Sequence, residues 1–105
     1  DVEQIRRWAA VGEHGFAHRL LLVEGELAAV EGQLDIARNA FISAADTARD
    51  LGQIQYEALA HERCAALLHA AGDARARESI DAAREAYTLW GADALVAKLD
   101  RKYGA

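Results

Sequence analysis

The stretch GELAAVEGQLDIARNAFISAADTARDLG, residues 25–52, decides the fold of this chain. It places glycine and alanine at helical spacing around one large apolar residue, Phe41. Small residues let two helices approach closely, and a large side chain then fills the groove between them. The stretch therefore predicts two helices joined by a tight turn at Gly32.

The same pattern returns about 40 residues later. Gly25 and Gly32 match Ala65 and Gly72 at an offset of 40 residues. An offset of 39 residues relates five further pairs: Ala37 with Ala76, Phe41 with Ile80, Ala44 with Ala83, Leu51 with Trp90, and Gly52 with Gly91. A repeat of this length is typical of stacked helical arrays. We therefore predict an all-α fold, an antiparallel helix-hairpin superhelical array of about six helices, with Trp90 in the core.

Glycines divide the chain into segments that carry helical periodicity. They predict one domain over residues 1–105, with complete units at about 16–52 and 54–91 and half units at 1–12 and 92–104. Helices are expected at residues 1–11, 16–31, 34–51, 54–71, 73–90 and 93–103. In the second of these helices, the residues expected to point inward are Leu20, Val23, Leu27 and Val30.

Composition excludes several classes of function. The formal net charge is −5 and no basic stripe is present, so we expect no nucleic-acid partner. No apolar run approaches the roughly 20 residues needed to span a bilayer, so we expect no membrane partner. The single cysteine, Cys64, rules out an internal disulfide and favours a reducing compartment, the cytoplasm. The chain begins with Asp1 and has no methionine, so we interpret it as a fragment of a longer protein.

The run Gly25, Gly32, Ala37, Phe41 and Ala44 resembles the tetratricopeptide signature of small residue, turn glycine, alanine, aromatic and alanine. The unit is longer than the usual length of about 34 residues and is similar to the extended units of bacterial signalling ATPases. Three positions depart from that signature: Glu24, Ala28 and Ile80.

A second resemblance covers most of the chain. Residues 16–18, 21–26, 56–62 and 86–92 look like the helical region of large bacterial hybrid histidine kinases. The Tyr-x-x-Trp-Gly-Ala ending, residues 87–92, is its most specific part. In that family the region follows a kinase-like domain and an AAA-type ATPase and precedes a GAF sensor domain. The resemblance implies a signalling scaffold.

The concave face of such an array, built by the first helix of each hairpin, is the expected binding surface. Familiar peptide-binding tetratricopeptide proteins carry a clamp of lysine, asparagine and arginine on this face, and the sequence shows no such clamp. The predicted face consists of Arg19, Leu22, Glu26, Ala29, Glu62 and His69.

Histidines and the cysteine do not form a pattern typical of a zinc site. His14 and His18 are four residues apart, a helical ligand spacing, but Gly15 lies between them. His61 and Cys64 are three apart on another predicted helix, with His69 two turns beyond His61. Zinc needs four convergent ligands, and these residues as a set come from different faces. We expect solvent-facing or interfacial histidines and a semi-buried Cys64 that packs and does not react. No catalytic residue, metal or cofactor is predicted.

These patterns favour a non-catalytic protein–protein interaction and scaffold module of a bacterial signal-transduction protein. Its partner would be a protein, a peptide or a neighbouring domain of the same chain, and exposed end helices would allow self-association. The alternative is an intramolecular ligand-sensing or regulatory module that controls an attached ATPase or kinase. A pocket with convergent polar groups would favour this alternative.

Overall fold

A computed structural model describes residues 17–104, and this part of the chain is all-helical. Its five helices are α1 (Ala17–Val30), α2 (Leu34–Asp50), α3 (Ile54–Ala70), α4 (Ala76–Trp90) and α5 (Asp93–Tyr103). The predicted all-α class is confirmed for these residues, and each helix begins and ends within three residues of its predicted bounds. The helix predicted at residues 1–11, and with it the half unit 1–12, lies outside the described residues.

Each of the first four helices ends in the same left-handed turn. After α1, the Gly32 N–H donates to the Ala29 carbonyl (3.1 Å), and the Gln33 N–H donates to the Ala28 carbonyl (2.9 Å). Gly32 has a φ of +75°, where a Cβ atom would be strained. The same pair of hydrogen bonds and a positive-φ glycine end the next three helices, at Gly52, Gly72 and Gly91. The chain therefore turns in the same way at four successive junctions.

Asp73, which the sequence places at a helix start, holds the turn before α4, and the helix itself begins three residues later at Ala76. Its carboxylate accepts a hydrogen bond from the Arg75 N–H (2.8 Å) and further bonds from the Arg75 guanidinium. The hydrogen bonds from Arg75 lower the pKa of Asp73 to about 2. Arg75 also donates to Asp35 of α2 (2.9 Å), which joins the two predicted units.

Consecutive helices pack on one another from α1 to α5, and α1 also contacts α3. Alanines fill most of the buried hydrophobic positions, and the largest fully buried side chains include Phe41 and Leu68. Phe41, Leu68 and Ile80 belong to one core cluster, so the two matched positions, Phe41 and Ile80, share the same interior. Small residues allow the helices to approach closely, and these few large side chains fill the space between them.

The inward face of α1 differs from the expectation. Val23, Leu27 and Val30 are 37%, 41% and 86% exposed, and the prediction that they point inward is wrong. The buried face of α1 instead contains Gly25 and Ala28. Because each residue of a helix advances by about 100°, placing Gly25 against α2 turns residues 23, 27 and 30 to the other side.

The predicted core position of Trp90 is also wrong. Trp90 is 47% exposed at the end of α4, and the neighbouring Leu89 is 72% exposed. Tyr87 fills the core position instead and is 4% exposed, with the Trp90 ring centroid 6.3 Å from its own. Leu51, the residue matched with Trp90 in the sequence, is likewise exposed at a helix end.

Candidate functional site

A groove runs between α1 and α3, with a volume of about 360 Å³. We call it the α1–α3 groove. Its lining is mostly aliphatic and comprises Leu22, Val23, Glu26, Leu27 and Val30 of α1 with Leu59 and Arg63 of α3. An ion pair between Arg63 Nη1 and Glu26 Oε1 (3.5 Å) lies among these side chains, and both partners are about half exposed. The groove is therefore an apolar surface with one balanced pair of charges.

The structure brings two residues of the predicted concave face together in this groove, Leu22 and Glu26. Arg19 lies on the same helix and donates from Nη2 to the Tyr56 hydroxyl (2.9 Å). Ala29 is half-buried and packs against the core cluster. Two of the four predicted residues on α1 therefore line the groove, and one of them, Leu22, also packs against the core as Ala29 does.

Glu62 and His69, the other two predicted residues, lie toward α5. The Tyr87 hydroxyl donates to the Glu62 carboxylate (3.3 Å), and Glu62 borders a small cavity of about 70 Å³ with Lys98 and Lys102. The His69 ring centroid lies 5.1 Å from that of Tyr103. The predicted face is thus divided between the α1–α3 groove and the contact between α3 and α5.

Sequence reasoning missed five of the groove residues: Val23, Leu27, Val30, Leu59 and Arg63. The three from α1 were expected in the core because they are large and apolar. Their spacing contains the signal that would have found them. Once Gly25 and Ala28 define the face that contacts a neighbouring helix, residues 23, 27 and 30 must lie away from it.

A buried polar cluster lies on the other side of α3. Glu57 and His61 are 8% and 9% exposed. Arg49 donates to Glu57 Oε2 from both Nε (2.9 Å) and Nη2 (2.7 Å). His61 Nε2 lies 3.9 Å from the same oxygen, and burial lowers the pKa of His61 below 6.5. The imidazole is therefore neutral at pH 7, beside an ion pair.

The prediction that the histidines face solvent or an interface is wrong for two of them. His61 is buried within the cluster just described, and His18 is fully buried. The His18 ring centroid lies 4.6 Å from that of Tyr56. Burial, with a smaller contribution from the charge of Arg19, lowers the pKa of His18. Both imidazoles serve as packed, neutral side chains, and His69 remains exposed as expected.

Cys64 is more deeply buried than predicted, with no exposed surface. The Ser79 hydroxyl donates to Cys64 Sγ (3.2 Å), and burial raises the pKa of the thiol. A protonated, inaccessible thiol is a poor nucleophile. The side chain packs between α3 and α4.

Within residues 17–104, no three histidine, cysteine, aspartate or glutamate side chains converge as a metal site requires. None of the helices described in this range has the length and apolar character needed to cross a bilayer.

The chain matches no protein-family model, no curated protein and no solved structure. The groove and the buried cluster are therefore the features on which a function can be based.

Proposed function

We propose that this chain is a non-catalytic protein-interaction module and that the α1–α3 groove is its binding surface. One observation carries the proposal: three aliphatic side chains in successive turns of α1, Val23, Leu27 and Val30, are exposed. Large apolar side chains grouped on a surface mark sites that another protein covers. The array that displays them has no convergent catalytic groups in its groove.

We further propose that the helices form a tetratricopeptide-like superhelical array, a fragment of a longer cytoplasmic signalling protein of bacterial type. Three features support the array itself: the four similar turns, the packing of each helix on the next, and the shared burial of Phe41 and Ile80. In such an array each unit contacts only its neighbours, so its surfaces remain open for binding.

The groove fits a segment of a partner protein, or of a neighbouring domain, that presents two or three apolar side chains. A helix that presents residues at positions i, i+3 or i+4, and i+7 would place them along the row from Val23 to Val30. The ion pair between Glu26 and Arg63 would orient the segment through polar contacts at the edge. Exposed apolar residues at helix ends, Val30 and Ile36, would also support self-association at high concentration.

Selection of binding peptides from a random library displayed on phage tests the proposal. The selected peptides should bind the wild-type chain and lose about tenfold or more in affinity for a Leu27→Ser/Val30→Ser variant, the loss expected when central apolar contacts are removed. Ile36→Ser is the matched control, because Ile36 is 57% exposed but does not line the groove. If the selected peptides bind the Leu27→Ser/Val30→Ser variant as tightly as the Ile36→Ser control, the groove is not the binding surface.

A further inference from the structure

A second cleft, larger than the groove, lies where α2 ends, α3 begins and α4 passes both. Its volume is about 590 Å³, and its lining residues are Arg49, Gly52, Ile54, Glu57, Ala82, Glu85, Ala86 and Leu89. We call it the α4 cleft. Glu57 and Leu59 are two residues apart on α3 and so point about 200° apart, which places the α4 cleft and the α1–α3 groove on opposite sides of that helix.

The α4 cleft has an excess of negative charge. Glu57 and Glu85 line it together with a single cation, Arg49. The hydrogen bond and the charge of Glu57 raise the pKa of Arg49, and the charges of Asp46 and Glu85 add to this effect. Glu57 thus binds the guanidinium directly, while the charges of Asp46 and Glu85 act on it without a direct contact. This imbalance favours a second cation over an anion or a neutral group.

The floor of the cleft carries unused hydrogen-bonding capacity. Both bonds from Arg49 end on Glu57 Oε2, which leaves Oε1 for another donor. His61 lies behind this carboxylate, with Nε2 3.9 Å from Oε2, and does not line the cleft. A carboxylate has two acceptor oxygens, so Glu57 can accept a further hydrogen bond through Oε1 from a donor in the cleft.

The walls of the cleft are apolar. Ile54, Ala82 and Ala86 flank the charged groups, and Leu89 extends the apolar wall to the surface, where it is 72% exposed. A ligand that fits must join a cationic head to an aliphatic stem. Arginine and lysine side chains have this form, since their methylene stems pack on apolar surface while the head keeps its charge.

We propose that the α4 cleft binds an arginine or lysine side chain of a partner protein, whose cationic head lies between Glu57 and Glu85. The stem packs on Ile54 and Ala86, and the flanking residues of the partner cover Leu89. A free amine has no flanking residues to cover Leu89. The cleft should therefore bind an arginine or lysine side chain within a peptide more tightly than a free amine. This second site is independent of the α1–α3 groove, and either can fail without the other.

NMR titration of the isotope-labelled chain tests the proposal with three probes: the peptide acetyl-Leu-Arg-Leu-amide, its citrulline analogue, which has the same shape without the charge, and cadaverine as a free amine. We expect the arginine peptide to shift the backbone amide signals of Ile54, Glu85 and Leu89. The citrulline peptide and cadaverine should each bind at least about fivefold more weakly.

Glu85→Gln provides the decisive variant, because Glu85 is exposed and its replacement leaves the Arg49–Glu57 pair intact. It should weaken binding of the arginine peptide about fivefold, the effect of one partly exposed ion pair. Glu31→Gln makes the same change of charge outside the cleft and should bind like the wild type. Equal binding of the arginine and citrulline peptides, or by Glu85→Gln and wild type, would overturn the proposal. Equal binding of cadaverine would overturn the assignment to a protein side chain.

Discussion

Gly25 of α1 lies directly against the ring of Phe41 in α2. A Cβ atom added to Gly25 would be 2.6 Å from Phe41 Cε1 and 2.8 Å from Cδ1, closer than nonbonded carbon atoms approach one another. The sequence predicts small residues where two helices cross, with Phe41 in the groove between them. The structure places the Phe41 ring at Gly25, so one glycine and one ring set the separation of α1 and α2.

Gly25→Ala should destabilise the fold by about 1–3 kcal/mol, the usual penalty for overpacking a core. Without this contact, alanine would stabilise the helix relative to glycine by up to about 1 kcal/mol. A loss of stability would therefore show that overpacking against Phe41 outweighs the gain in helix propensity. Here the ring cannot yield easily, because Phe41 is only 1% exposed. Urea unfolding followed by circular dichroism measures the change. A variant as stable as the wild type would show that α1 and α2 can separate without penalty.

A double-mutant cycle tests whether the penalty comes from Phe41. In a Phe41→Leu background, the smaller side chain leaves room, so Gly25→Ala should be less destabilising than in the wild type by about 0.5 kcal/mol or more. Additive effects of the two substitutions would show that the contact between the two residues does not cause the penalty.

Phe41→Ala should lower the free energy of unfolding by about 3–5 kcal/mol, because it leaves a cavity among α1, α2 and the core cluster. Ile36→Ala on the same helix is the control. Ile36 is 57% exposed, and its replacement should change the stability by no more than about 0.5 kcal/mol. Thermal melts of the two variants give the comparison, and similar melting temperatures would contradict the central place of Phe41.

Stability should fall as the pH is lowered through the ordinary pKa of histidine. Burial lowers the pKa of His61 and His18 in the folded state, so below pH 6.5 the unfolded chain binds protons that the folded chain does not. The stabilising contribution is complete above about pH 6.5 and is lost progressively below it. Urea unfolding at about pH 7.5 and pH 5.5 should show this loss, and His61→Gln should reduce it.

The exposed His69 on the same helix supplies the control for that measurement. His69→Gln should retain the acid loss of stability seen in the wild type. If both variants lose stability to the same extent as the wild type, the buried imidazole of His61 does not govern the pH dependence.

Cys64 should react with a thiol reagent only when the chain unfolds. It is fully buried, and burial raises the pKa of its thiol. Because it is the single cysteine in the sequence, a reagent that changes colour on reaction with a thiol reports this residue alone. Labelling by a chromogenic disulfide should be at least about a thousandfold slower in buffer than in concentrated urea, because the open state is rare. Comparable rates would place the thiol at the surface.

Helix positions could be predicted well from the sequence because local signals define them. Each turn glycine, such as Gly32 or Gly72, stops one helix, and the periodic apolar residues define the next. The importance of Gly25 could also be predicted, since a glycine inside a helix is otherwise unfavourable and indicates close approach. These features depend on residues near one another in the chain.

The faces of the helices were harder to predict, because burial depends on which neighbours are present. Val30 and Trp90 are apolar and periodic, yet the described helices leave both exposed. Glu57 and His61 show the converse. Glu57 is buried where it pairs with Arg49, eight residues earlier, and His61 is buried beside Glu57. Hydrophobicity alone would predict that Val30 and Trp90 are buried and that Glu57 and His61 are exposed. Only the packing of the neighbouring helices shows that the opposite is true.

The alike turns at Gly32, Gly52, Gly72 and Gly91 affect how the length of this chain can change. A tandem duplication of residues 53–91 would begin directly after one such glycine and end at another, so the new junction would have the geometry of the existing ones. An insertion of one residue inside a helix would instead rotate everything after it by about 100° and turn buried alanines toward water. Variation in length is therefore easier by whole helix pairs than by single residues.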